Sequence, residues 1–259
     1  MSSLSDSSPP GFGLRTLGAA VVHLYTTVGG VLAFFSLVEI ADGRFERALL
    51  LLGIAFLIDG TDGIMARRLL VSEVLPTVNG EILDLVIDFI TYAFAPLFLL
   101  LRAGLLPEPA WLWAALILIA AHYDFANTHP LKNRGLYTGL PAIWNLYAFH
   151  VLYVRPSQPV QMVCIGILVI LTFAPVHFIC LSRLTYLQTA NKVAVMTYMT
   201  ICMAVMLGVV DDHRRWALVA LAYPAWYIGS SLWVHFRLRS GLLLLPSHPA
   251  LSTRNPDEC

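Results

Sequence analysis

Long apolar runs, broken at fairly regular intervals by short polar stretches, dominate this chain. A hydrocarbon layer takes about 20 helical residues to cross. On that measure the runs predict eight membrane helices, near residues 16–38, 46–66, 80–102, 109–126, 139–155, 160–181, 192–210 and 216–236. The fold class that follows is all-α, a polytopic helical bundle in a membrane. The second run is marginal because its last two turns carry polar residues, and the fifth is short. Residues 1–13 are rich in Ser, Pro and Gly and lack the basic start of a secretion signal, so they read as a disordered tail. Residues 240–259 hold Pro246, Pro249 and Pro256 and read as a second, loose tail. Between them, residues 14–239 form one membrane domain without an internal repeat.

Composition sharpens this picture without changing it. Apolar residues make up 58% of the chain and charged residues 12%, against the roughly 25% charge of a soluble domain. Sixteen Lys and Arg balance sixteen Asp and Glu, which gives no argument for nucleic acid. The basic residues are unevenly placed. The side shared by both termini carries Arg15, Arg67, Arg68, Lys132, Arg134, Arg183, Lys192, Arg237, Arg239 and Arg254, ten of the sixteen. That bias puts both termini in the cytoplasm, the expectation for a protein of a bacterial inner membrane. Cys164, Cys180, Cys202 and Cys259 show neither CxxC nor metal spacing, and nothing calls for a disulfide.

Two polar stretches sit where apolar helices end. The first is Asp59-Gly60-Thr61-Asp62-Gly63-Ile64-Met65-Ala66-Arg67, and the second is Gly80-Glu81-Ile82-Leu83-Asp84-Leu85-Val86-Ile87-Asp88. At 3.6 residues per turn Asp59, Asp62, Gly63 and Ala66 share one helical face, while Gly80, Asp84 and Asp88 step along another. Four carboxylates beside lipid are costly unless something positive binds them. A divalent ion is the simplest answer, and hard oxygen ligands suit Mg²⁺ or Mn²⁺. Two such ions about 3.5–4 Å apart can clamp a pyrophosphate. Gly63, Ala66 and Gly80 either let helices pack closely or leave room for a ligand. Arg67 either pairs with a phosphate oxygen or anchors the helix at the membrane surface. His23 and Thr26 share one face of the first helix, within reach of a bound nucleotide or simply packed.

Together, Asp59, Asp62, Gly63, Ala66, Arg67, Gly80, Asp84 and Asp88 resemble the motif of the CDP-alcohol phosphotransferases. The chain is identified as a member of that family, integral membrane enzymes that move a phosphatidyl or phospho-alcohol group from a CDP-linked donor to an alcohol. The spacer from Arg68 to Asn79 is twelve residues, longer than the eight of most members. This longer spacer is similar to that of the phosphatidylcholine synthase branch, which joins CDP-diacylglycerol to choline. So are Val22-His23-Leu24-Tyr25-Thr26, Thr91-Tyr92, Gly139-Leu140-Pro141-Ala142-Ile143-Trp144-Asn145 and Leu171-Thr172-Phe173-Ala174-Pro175. The resemblance implies that Asp59, Asp62 and Asp84 are metal ligands and that Asp88 is the general base, also touching a metal. It implies a CDP pocket lined by Gly63, Ala66, Arg67 and Gly80, with His23 and Thr26 nearby.

Choline adds its own requirement. A quaternary ammonium has no N–H, so aromatic faces are its usual partners. Tyr92, one turn beyond Asp88, and Trp144 are the candidates, from a group that also includes Tyr123, Phe125, Tyr137 and Tyr147. The stretch Leu131-Lys132-Asn133-Arg134-Gly135-Leu136-Tyr137 departs from the branch by lacking a carboxylate, which leaves a different alcohol acceptor open. A cation-coupled transporter is the alternative from another class, since buried acids would serve it too. A second copy of the chain as partner is also left open.

Overall fold

The computed structural model describes residues 13–127, 135–180 and 187–243. The two expected tails therefore fall almost entirely outside the described residues, as does Leu131–Arg134. Helices make up nearly all of the regular structure. Five segments are long and apolar enough to cross a membrane: Leu14–Ala41, Phe45–Arg68, Gly80–Arg102, Thr189–Met206 and His213–Arg239. The first two are α1 and α2. The third joins α4 (Gly80–Phe89), a π-helical turn (Ile90–Phe94) and α5 (Ala95–Arg102) into one rod. The fourth lies in α9 (Gln188–Met206), and the last joins α10 (His213–Ala220) to α11 (Ala222–Arg239). Two shorter apolar helices, α6 (Ala110–Ala126) and α8 (Gln158–Phe173), flank α7 (Trp144–Val154). Each of the eight apolar runs thus contains a helix, and five reach spanning length.

The α1–α2 pair shows how sequence sets the packing. Ala19, Val22, Thr26, Gly29, Ala33, Ser36 and Ile40 form the buried face of α1, spaced by three and four residues. Most are small, which lets the two backbones approach where lipid supplies no hydrophobic drive. Leu17, Val21, Leu24, Val28, Val31 and Phe35 form the opposite, exposed face, apolar as a lipid-facing surface must be. The twelve-residue spacer is folded. After α2, Leu70 takes a left-handed conformation and starts the one-turn helix α3 (Val71–Val74). Val71 buries itself against Ala19 and Val22 of α1, with Ala66 packed alongside. Asn79 then caps α4, its Oδ1 accepting from the Ile82 N–H at 3.1 Å.

Two of the expected spans are shorter than their apolar runs. α7 begins at Trp144 rather than 139, and α8 stops at Phe173 rather than 181. Part of the sixth run instead forms a strand, β2 (His177–Ile179), which pairs antiparallel with β1 (Leu136–Thr138), just ahead of the fifth run, in the register Leu136↔Ile179, Tyr137↔Phe178 and Thr138↔His177. Gly139 explains the switch. Its φ is +90°, and a Cβ there would lie 2.2 Å from the Thr172 carbonyl oxygen, so the chain turns tightly against the end of α8. The Gly139 N–H donates to Val176 and the Leu140 N–H to Leu171.

Extended backbone inside a membrane bundle must be buried and fully bonded. Leu136, Phe178 and Ile179 are completely buried. The outer edge of β2 is served by α11: the Ile179 N–H donates to Ser231 Oγ at 3.2 Å, the Tyr227 hydroxyl to the Ile179 carbonyl at 3.0 Å, and the His177 N–H to His235 Nδ1 at 3.1 Å. Those three side chains are spaced by four along α11 and so lie on one face.

Candidate active site

Asp59 leaves α2 about two and a half turns before its end, Asp84 leaves the second turn of α4, and Asp88 leaves its last turn. The two helices bring them together. One carboxylate oxygen from each of Asp59, Asp84 and Asp88 lies within 4.8 Å of the other two, all three residues being part-buried. Bare carboxylates this close repel by several kcal/mol where water is scarce. A hard divalent cation reverses the sign of that interaction, and an all-oxygen donor set suits one. The three aspartates could therefore hold a metal ion.

Asp62 stands one turn further along α2, 5% exposed, and accepts a hydrogen bond from the Thr26 hydroxyl at 2.8 Å. Thr26 thus reaches the motif from α1 and orients its second acid. The Arg67 side chain folds back along the helix, so that a Cβ on Gly63 would lie 3.1 Å from its guanidinium. Gly80 is covered by His23, whose ring would come within 2.9 Å of an added Cβ. The Nε2 of His23 is buried and has no hydrogen-bond partner among the described residues. The ring thus brings a buried nitrogen able to bond a polar group to the start of α4. Ala66 packs toward α1 and α3 instead.

On the other side of the acids the rod is wound differently. Pro96 has no N–H to give to the Tyr92 carbonyl, and the chain widens into the π-helical turn Ile90–Phe94 just before it. That turn carries Tyr92 inward. Its hydroxyl donates to Asp59 Oδ2, and its ring rests on Phe56 at 5.5 Å. Tyr92 also lies within electrostatic reach of Asp88 and Tyr137. Trp144, by contrast, is seated in the bundle core, 3% exposed and edge-on to Tyr147. Tyr137, on β1, lies within electrostatic reach of Cys180, Tyr227 and Asp124.

Asp124, on α6, was not singled out by the motif reading, because no second acid at helical spacing marks it. Its Oδ2 accepts the Ala142 N–H at 2.7 Å. Its neighbours His122 and Phe125 pack on Phe89, the residue after Asp88, at 4.8 and 5.5 Å between rings. The only available signal was a carboxylate in the last turn of an otherwise apolar helix, among aromatic residues.

No protein-family model matches the chain. Individual relatives do. It is 37% identical over 171 residues to the phosphatidylcholine synthase of Mesorhizobium japonicum, a match covering 66% of this chain and just under two thirds (64%) of that protein. Identity is 34% over 217 residues with the phosphatidylcholine synthase of Pseudomonas aeruginosa, covering 82% of this chain and 90% of the relative. It is 30% over 208 residues with that of Agrobacterium fabrum, covering 80% and 86%.

Proposed function

The chain belongs to the phosphatidylcholine synthase family, and from that premise we propose that it transfers the phosphatidyl group of CDP-diacylglycerol to choline, giving phosphatidylcholine and CMP. It is a multi-pass membrane enzyme, a phosphatidyltransferase of phospholipid biosynthesis. The observation that carries the reaction is the meeting of Asp59, Asp84 and Asp88 from two helices, with the orphaned His23 nitrogen on one side and Tyr92 on the other.

In this reading Asp59, Asp62, Asp84 and Asp88 hold two Mg²⁺ or Mn²⁺ ions, which when bound neutralise the pyrophosphate and the departing CMP. The nucleotide lies beside Gly63 and Gly80, whose missing side chains let Arg67 and His23 fold close over the two motif helices. Ala66 keeps the same face low, while Arg67 and His23 offer donors to its oxygens. Thr26 holds Asp62 in place through its hydroxyl. Asp88 takes the proton from the choline hydroxyl as the oxygen attacks the phosphorus that bears diacylglycerol. The phosphorus–oxygen bond to choline forms, the anhydride bond breaks, and CMP leaves. Both substrates meet at one centre, so no covalent enzyme intermediate is needed. The surplus of Lys and Arg beside the two motifs supports a centre that faces the cytoplasm from an inner membrane, with both termini on that side.

Purified full-length protein in lipid nanodiscs, given labelled CDP-diacylglycerol and a panel of alcohols, should release CMP in step with choline and yield a product of phosphatidylcholine mass. CMP release that needs some other alcohol would replace choline as the acceptor. No CMP release with any alcohol, alongside metal-dependent ion flux, would restore the transporter reading.

A further inference from the structure

We propose that Asp124 is the anionic wall of the acceptor site and makes this protein select a cationic alcohol; the inference rests on the choline reading above. A trimethylammonium group cannot hydrogen-bond through nitrogen. Its charge has to be met by aromatic faces and by a carboxylate held at van der Waals distance. That carboxylate cannot be one already committed to the metal-binding cluster, and it must be close to the base, because the ammonium lies two carbon atoms from the reacting hydroxyl.

Asp124 stands apart from that cluster yet at its end of the bundle. It comes from α6, not from either motif helix. The ring contacts of its neighbours His122 and Phe125 with Phe89 put it at the same end of the bundle as Asp88. Its orientation is fixed, since one oxygen is held by the Ala142 N–H at 2.7 Å. The helix end that carries it is tied to β1 by Asn127 Nδ2 donating to the Thr138 carbonyl at 3.0 Å. Tyr137 and Tyr227 lie within electrostatic reach of Asp124, and Tyr137 within reach of Tyr92, whose hydroxyl sits on Asp59. Phenol rings therefore run from the motif acids to a second, part-buried carboxylate. That arrangement suits a short molecule with a hydroxyl at one end and a positive charge without N–H at the other.

The test compares choline with 3,3-dimethyl-1-butanol, which has the same shape without the charge, as acceptors for the full-length protein in nanodiscs. Asp124→Asn keeps an oxygen for the Ala142 N–H and removes only the charge. It should raise the choline KM on the order of 10- to 100-fold and cut the preference for choline over the neutral alcohol by the same factor, with the CDP-diacylglycerol KM unchanged. Asp124→Glu, which keeps the charge but shifts it by one methylene, serves as second variant if the Asn protein does not accumulate. Its choline KM should rise several-fold, while that of the neutral alcohol stays. A preference ratio equal to wild type, whatever the fall in turnover, would make Asp124 a structural residue and overturn the proposal. A wild type that uses no cationic alcohol would sink the choline reading itself, a result visible before any variant is made.

Discussion

Tyr92→Phe separates two jobs that one side chain could do. The substitution leaves the ring on Phe56 and removes only the hydroxyl that donates to Asp59 Oδ2. A hydrogen bond to a charged acceptor contributes about 1.5–3 kcal/mol, and the bond here lies in a part-buried setting. Spread over a metal-binding equilibrium, that is roughly a 10- to 150-fold change, in line with the 10- to 100-fold usual for partners of metal ligands. The half-saturating Mn²⁺ or Mg²⁺ concentration for CMP release should therefore rise by about 10- to 100-fold. Turnover at saturating metal should recover most of its wild-type value, and the choline KM should stay put, because the π face survives. The assay is a metal titration at fixed, saturating CDP-diacylglycerol and choline. Wild-type metal dependence in the Phe variant would refute the reasoning and show that the Tyr92–Asp59 bond does not tune the cluster. A rise in choline KM confined to Tyr92→Leu would assign the ring, not the hydroxyl, to the headgroup.

Two further expectations concern the acids and the turn. Asp59→Asn and Asp84→Asn should each lose nearly all activity even at saturating metal, whereas Asp88→Asn should keep metal-dependent CDP-diacylglycerol binding yet lose alcohol-dependent CMP release. Donor affinity that collapses with Asp88→Asn would make that residue chiefly a ligand. Gly139→Ala has to accommodate a φ of +90° and a Cβ 2.2 Å from the Thr172 carbonyl oxygen, so it should cost at least about 2–3 kcal/mol and lower the Tm measurably. An Ala variant as heat-stable as wild type would mean that the turn can relax at little expense.

The parts of the molecule legible in its sequence are those governed by helical period. Asp59 and the Asp84/Asp88 pair converge because each sits on a regular helix whose phase fixes its direction, and the ends of α1, α2 and α6 fall within three residues of the apolar runs. That Asp62 would be bonded to Thr26 rather than gathered with the other three acids was not legible, since spacing along one helix says nothing about the rotation of its neighbour. The π-helical turn was hidden because hydropathy is blind to a single displaced residue, although Pro96 marks the place. β2 is absorbed into an apolar run for a related reason, and β1 falls just ahead of one. Buried strands and buried helices have the same composition in lipid, and only Gly139 and Pro175 disturb the pattern. Asp124 stayed invisible because its role depends on tertiary neighbours rather than on a local repeat.

The three bonds from α11 to β2 also set an order of construction. The ribosome delivers the acidic motifs first and Tyr227, Ser231 and His235 well after β2, so the outer edge of that strand waits in a dry interior until α11 enters the membrane. The strand pair, which stands beside the Ala142 anchor of Asp124, is thereby completed only when α11 arrives. A chain cut short before Ala222 would carry the motif acids but no finished acceptor side, and its open strand edge would expose it to membrane proteases. Pulse-labelled chains ending at Leu221 should disappear within minutes while full-length protein persists; equal lifetimes would show that the edge finds another partner. Arrival of α11 thus closes the strand edge that a shortened chain leaves open.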